Sequence, residues 1–123
     1  MKALIVDDSR AVRLLISRIL GELGFATFEA ENGREALDEL ERSGRMDLVV
    51  VDWNMPVMDG YAFVCAVRSS EKYQGMPLLM VTTETEMDRV VRALEAGVTE
   101  YLMKPFSRED MCSKLDILGL QGS

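Results

Sequence analysis

The chain has 123 residues, 48% of them hydrophobic and 28% charged, with only three prolines, which fits one globular domain and leaves no room for a second. A formal net charge of −7 at pH 7 argues against nucleic acid or an anionic membrane surface as partner, because both reward basic patches. With no histidine in the chain, histidine triads, His-ligated metals and histidine autokinase chemistry are excluded.

Residues 3–6 form a short apolar run that stops at Asp7-Asp8, which reads as a strand and is too short for a secretory signal. Residues 10–23 follow a helical period, with Val12, Leu15, Ile16, Ile19 and Leu23 as the apolar stripe and Gly24 as its stop. Arg10, Arg13 and Leu14 fall off that stripe, on a face open to solvent or to a partner. Residues 25–30 alternate in part and give a second strand, and residues 33–43 a helix with Ala36, Leu37 and Leu40 inward, ended by Gly44. Residues 48–51 are a third strand that stops at Asp52, followed by a helix over 60–70 with Phe63, Val64 and Val67 inward. Residues 78–81 are a fourth strand that stops at Thr82-Thr83, followed by a helix over 86–96 with Met87, Val90, Val91 and Leu94 inward. Residues 101–103 are the last strand, ending at Lys104-Pro105; Ser107 caps a helix over 108–118 with Met111, Leu115 and Leu118 inward, and residues 119–123 form a frayed tail. Cys65 and Cys112 lie far apart in helical stretches and read as reduced core residues of a cytoplasmic protein. No apolar run is long enough to span a bilayer.

Strands with little polar interruption, alternating with amphipathic helices, give an α/β fold: a doubly wound, five-stranded parallel sheet covered on both faces, forming one domain over residues 1–123. In such sheets the site lies beyond the carboxyl ends of the strands. Those ends carry Asp7, Asp8, Asp52, Asn54, Thr82, Thr83 and Lys104-Pro105. Like charges ~5 Å apart at an effective dielectric constant of ~20 repel by roughly 3 kcal/mol per pair, so three convergent carboxylates call for counter-charge. Lys104 supplies one positive charge and a hard divalent cation the rest; few carboxylates with water in the other positions describe Mg²⁺ better than a Ca²⁺ cage. A carboxylate ionised at neutral pH attacks phosphorus without a general base. Taken singly, each of these residues has a plainer reading, as a helix cap, a turn residue or a surface charge; their coincidence at strand ends favours a site.

Four motifs, Val6-Asp7-Asp8-Ser9, Asp52-Trp53-Asn54-Met55-Pro56-Val57-Met58-Asp59-Gly60, Met80-Val81-Thr82 and Tyr101-Leu102-Met103-Lys104-Pro105-Phe106, together span the chain. They resemble the receiver domain of two-component response regulators, in particular the single-domain chemotaxis type. The resemblance implies a flavodoxin-like (βα)5 fold with strand order 2-1-3-4-5. It implies Asp52 as phosphoacceptor, with Mg²⁺ held by Asp7, Asp8, Asp52 and the Asn54 backbone carbonyl. Lys104, across a cis bond to Pro105, and Thr82 with Thr83 would contact the phosphoryl group. Thr82 and Tyr101 would form the switch, and Asn54 and Glu84 would tune dephosphorylation. The implied partners are a histidine kinase as donor and a downstream target, with the flagellar motor switch foremost; a phosphate sink or relay is the alternative. Such a domain catalyses only its own phosphorylation and dephosphorylation, is cytoplasmic, and is a monomer when unphosphorylated. Two departures stand out: Thr83, where the family commonly has Ala or Gly, narrows access to the acceptor, and Glu84, Glu86 and Asp88 make the start of the fourth helix acidic.

Among unrelated readings, a dehalogenase-like phosphatase wants an Asp-x-Asp-x-Thr pattern after the first strand, where this chain has Asp7-Asp8-Ser9-Arg10. A nucleotide or flavin site wants a Gly- or Ser/Thr-rich phosphate loop, where Asp7-Asp8 would repel the ligand. Trp53 is expected at the rim of the site, partly buried, and Met55 and Met58 are candidates for a docking surface beside it.

Overall fold

Aliphatic runs that lack a polar face bury both faces, and here they do so in one parallel sheet. In the computed structural model, which describes residues 1–120 apart from the side chains of Glu84 and Met87, the strands are β1 (Lys2–Val6), β2 (Ala26–Ala30), β3 (Leu48–Asp52), β4 (Leu78–Thr83) and β5 (Glu100–Lys104). Their order is β2-β1-β3-β4-β5, the flavodoxin-like arrangement. The helices are α1 (Arg10–Glu22), α2 (Gly33–Ser43), α3 (Gly60–Ser69), α4 (Val90–Ala96) and α5 (Arg108–Ile117). Alternate strand residues feed two cores. Leu4, Val6, Val49, Val51, Leu78 and Met80 pack with Leu40, Phe63, Val67 and Ala93, beneath α2, α3 and α4. Ala3, Ile5, Val50, Leu79 and Val81 pack with Ile16, Leu20, Met111 and Leu115, beneath α1 and α5. Each fully buried aliphatic side chain contributes about 1.5–3 kcal/mol.

Register then sets what meets at the carboxyl edge. Val6 pairs with Val51, so Asp7 and Asp52 follow side by side. Asp52 pairs with Val81, which brings Thr82 one step beyond it, and Thr83 pairs with Lys104. Ser9 caps α1 by accepting the Val12 N–H at 3.3 Å, Asn32 caps α2, Asp59 caps α3, and Ser107 and Asp110 form a reciprocal capping box on α5.

The structure revises several expectations. On α1, Leu15 is 51% exposed and Leu20 takes its place in the core, because the helix turns its Ile16–Ile19–Leu20 edge to the sheet. Arg13 is buried and not on an open face: its guanidinium donates to the Asp7 carbonyl at 2.7 Å and pairs with Glu29 at 3.0 Å. The helix expected over 86–96 instead starts as a 3₁₀ segment, Glu84–Arg89, and is α-helical only from Val90. Turning begins early because Thr83 and Glu86 bond to each other, a Thr-x-x-Glu pairing typical of helix starts. Val91 and Leu94, expected inward, are 63% and 44% exposed. A short 3₁₀ turn, Glu71–Tyr73, follows α3 and buries Tyr73. Gly119 and Leu120 do not fray: their N–H groups donate to Asp116 and Leu115 carbonyls at 3.0 and 2.8 Å. The rest of the expected tail, 121–123, lies outside the described residues. Cys65 and Cys112 are free and half-buried. Among the described residues no helix is long and apolar enough to cross a membrane.

Candidate functional site

Three carboxylates stand at the carboxyl edge of β1 and β3. Asp7 is buried; its Oδ1 accepts the Ser9 N–H at 2.8 Å, while its Oδ2 is buried without a hydrogen-bond partner. Asp52, at the last position of β3, is buried, and Asp8 is exposed. One oxygen from each of Asp7, Asp8 and Asp52 lies within 4.8 Å of the others. Lys104, the last residue of β5, places its Nζ 3.6 Å from Asp7 Oδ2 and 3.8 Å from Asp52 Oδ1. The Lys104–Pro105 bond is cis.

The balance is three negative charges against one positive. Burial pushes the Asp52 carboxyl up from 3.8 to about 6, the neighbouring Asp7 charge adds to that, Lys104 pulls the other way, and Asp8 and Glu86 add smaller increments. Asp52 is therefore still mostly ionised at pH 7.5. An orphaned buried oxygen on Asp7, beside two further carboxylates with only one ammonium, is a donor set that fits a hard divalent cation.

Around this centre, Gly60 lets α3 start against the end of β3: a Cβ there would lie 2.7 Å from the Asp52 carbonyl oxygen and 2.8 Å from the Trp53 ring. Trp53 is buried at 5% exposure, deeper than a rim residue, with its ring edge-on to Tyr61 at 6.0 Å. Met55 and Met58 are half-buried against the core under α2 and α3. Between them Val57 has φ +67° and is 84% exposed, and the Met58 N–H donates to the Pro56 carbonyl at 2.7 Å, a tight γ-turn.

Thr82 is 1% exposed, and its hydroxyl has only a 3.4 Å contact with the Thr83 carbonyl. The Thr83 hydroxyl is engaged elsewhere, donating to Glu86 at 2.8 Å and lying 2.9 Å from the Thr85 hydroxyl. Asn54 gives its amide N–H to Glu86 and accepts from Arg89 at 3.1 Å. The Glu84 side chain lies outside the described residues. Tyr101 is half-buried, with Lys114 Nζ 4.4 Å from its ring centroid and paired to Glu100 at 3.2 Å. An apolar cleft of about 420 Å³ opens beside the site between Val12, Leu15, Thr83, Lys104, Pro105 and Phe106.

The sequence reading places Glu86 in an acidic patch and Arg13 on an open face, and does not single out Lys114; the structure gives all three partners at or near the site. The Thr83-x-x-Glu86 spacing is a helix-start signature that pointed to Glu86. Arg13 and Lys114 carry no such local signal, since each acts on a residue brought near by the fold.

A family model described as the response regulator receiver domain matches residues 3–116. The chain is 45% identical over 121 residues to the chemotaxis protein CheY homolog of Campylobacter jejuni, covering 97% of this chain and 93% of that protein. Its structure is similar to chemotaxis protein CheY4 of Vibrio cholerae, with a TM-score of 0.88, 39% identity, and coverage of 95% of this chain and 97% of that one. It is also similar, with a TM-score of 0.86 and 28% identity over 96% of this chain and 97% of the other, to a receiver domain of a Pseudomonas aeruginosa sensor histidine kinase solved with magnesium coordinated in its active-site cleft.

Proposed function

The chain belongs to the response regulator receiver domain family of two-component systems, and on that premise we propose that it accepts a phosphoryl group on Asp52 from a histidine kinase and thereby changes its affinity for a downstream target. The observation that carries this reading is the convergence of Asp7, Asp8 and Asp52 on one point, with Lys104 Nζ within 4 Å of two of them. A carboxylate oxygen of Asp52 attacks phosphorus, the phosphorus–nitrogen bond of the donor's phosphohistidine breaks, and the electron pair stays with the donor imidazole. Lys104 neutralises a phosphoryl oxygen, and the Thr82 hydroxyl, which spends little on its present 3.4 Å contact, is available to donate to another. Asp7, Asp8 and Asp52, with the Asn54 backbone carbonyl, would hold Mg²⁺, which supplies positive charge against the phosphoryl oxygens. The orphaned Asp7 Oδ2 and the magnesium-bound receiver domain from P. aeruginosa support that choice.

The domain performs this chemistry only on itself and is not an enzyme with a separate substrate. The apolar cleft beside Lys104 and the exposed Leu14 and Leu15 support docking of the donor against α1. Tyr101, with Thr82, acts as the switch toward the face made by α4, β5 and α5. The chemotaxis names of the relatives support control of a flagellar motor as the output; the acidic start of the segment before α4 supports the second reading, a phosphate sink or relay. The two free thiols support a cytoplasmic site of action. The test is intact mass after incubation with acetyl phosphate and Mg²⁺: one phosphoryl adduct on the wild type, none in EDTA and none on Asp52→Asn. A full adduct on the variant would remove Asp52 from the acceptor role.

A further inference from the structure

Glu86 ties together the two loops that flank the acceptor. Its side chain is 12% exposed although it belongs to a surface turn. One carboxylate oxygen accepts both the Thr83 N–H at 3.2 Å and the Thr83 hydroxyl at 2.8 Å. The other accepts the amide N–H of Asn54, whose oxygen is taken by Arg89. A helix-start pairing needs only the Thr83 half of this arrangement. The bond to Asn54 goes further: it crosses from the end of β4 to the loop after β3, two residues beyond Asp52.

Thr82 sits between the pinned Thr83 and Val81, the register partner of Asp52. Its hydroxyl is buried and scarcely engaged, so nothing at the side chain itself holds it back. Its backbone is held one residue along, by Glu86. An advance of Thr82 that carries its backbone toward Asp52 would stretch the bonds from Thr83 to Glu86 or draw Asn54 along. We propose that Glu86 is a positioning residue that latches Thr83 to Asn54 and so sets how readily the β4 end closes on a phosphoryl group at Asp52. This rests on the phosphoacceptor reading above. Charge-assisted bonds made only in the open arrangement shift a two-state equilibrium by their differential strength.

Beryllofluoride, a phosphoryl mimic that needs no transfer chemistry, isolates the closure. Titrated at saturating Mg²⁺ and read by Trp53 fluorescence, it is expected to half-saturate Glu86→Ala at about one tenth of the wild-type concentration, equivalent to about 1.4 kcal/mol. Glu86→Gln, which keeps the shape and one acceptor oxygen, should fall between the two. Urea unfolding in parallel reports the structural contribution separately. If the wild type responds and both variants half-saturate where it does, or higher, the latch is overturned and the acceptor reading stands, even if their urea midpoints drop. If folded wild-type protein gives no response, the acceptor reading fails and the latch fails with it.

Discussion

Replacing Asp52 by Asn should stabilise the cation-free protein, and by an amount that depends on pH in a defined direction. The Asp52 carboxyl is raised from 3.8 to about 6 by burial and by Asp7, which at about 1.36 kcal/mol per pH unit is a penalty of about 3 kcal/mol on the ionised form in the fold. Solvent enters beside the exposed Asp8, and such screening leaves about 1–2 kcal/mol as the expected measurable effect. A folded-state value above the unfolded one means that the contribution is intact below pH ~4 and lost as pH rises through about 6. Asn does not titrate. The difference in unfolding free energy, variant minus wild type, should therefore grow by about 1–2 kcal/mol between pH 4.5 and 8 in EDTA, whatever constant offset the amide introduces. Urea denaturation followed by circular dichroism at several pH values measures it. Added Mg²⁺ should shrink the difference at pH 8, because a cation bound by the folded wild type offsets the repulsion. A difference that is flat with pH, or that falls, would refute the electrostatic account of the site.

Lys104→Ala should leave Mg²⁺-dependent quenching or enhancement of Trp53 measurable while abolishing the further change on adding acetyl phosphate; an unaltered second change would remove Lys104 from the switch. Arg68→Ala should cost about 2–3 kcal/mol in urea unfolding, because the guanidinium donates to the Gly97, Tyr73 and Met76 carbonyls and to the Thr99 hydroxyl. Arg68→Lys should recover only part of that, and full recovery would show that charge and not the fork of donors is what counts. Val57→Gly should stabilise by about 0.5–1 kcal/mol, since a β-branched residue at φ +67° is strained by about 1–3 kcal/mol and glycine gives back part of the gain as chain entropy. A loss of stability would mean that the γ-turn is not strained at Val57.

The strand order rests on the family resemblance alone, whereas the meeting of Asp7, Asp52 and Lys104 is legible in the sequence because each residue ends an apolar run, and parallel register carries the ends of such runs to one edge. Asp8 is legible for the same reason, being the neighbour of Asp7 at the end of the first run. The periodicity failed where one side chain could satisfy two environments. Leu15 fits an apolar stripe by spacing, yet the helix settles with Leu20 inward, and Arg13, polar by type, is buried because the Asp7 carbonyl and Glu29 receive its guanidinium. The early start of the segment before α4 is hidden in the sequence because Glu86 looks there like one charge in an acidic patch. Its partners, Thr83 and Asn54, come from two loops whose proximity follows from the pairing of β3 with β4 and from no local pattern. Lys114 was invisible for the same reason: its partner ring at Tyr101 lies on the neighbouring strand.

Three polar anchors outside the site gather at the opposite edge. Arg68 binds the segments that lead into β4 and β5, Lys2 binds the Ser43 carbonyl and Asp47 ahead of β3, and Arg45 binds the Gln74 carbonyl at 2.8 Å. The sheet is thus clamped where its strands begin and electrostatically loaded where they end. Amide hydrogens near Thr99, Leu78 and Asp47 should be the slowest to exchange with deuterium, and those from Glu84 to Arg89 among the fastest. Opening of the loaded edge can then proceed as a local event, well below the free energy of global unfolding. A domain built this way can rearrange many times over its lifetime without putting its own folding at risk.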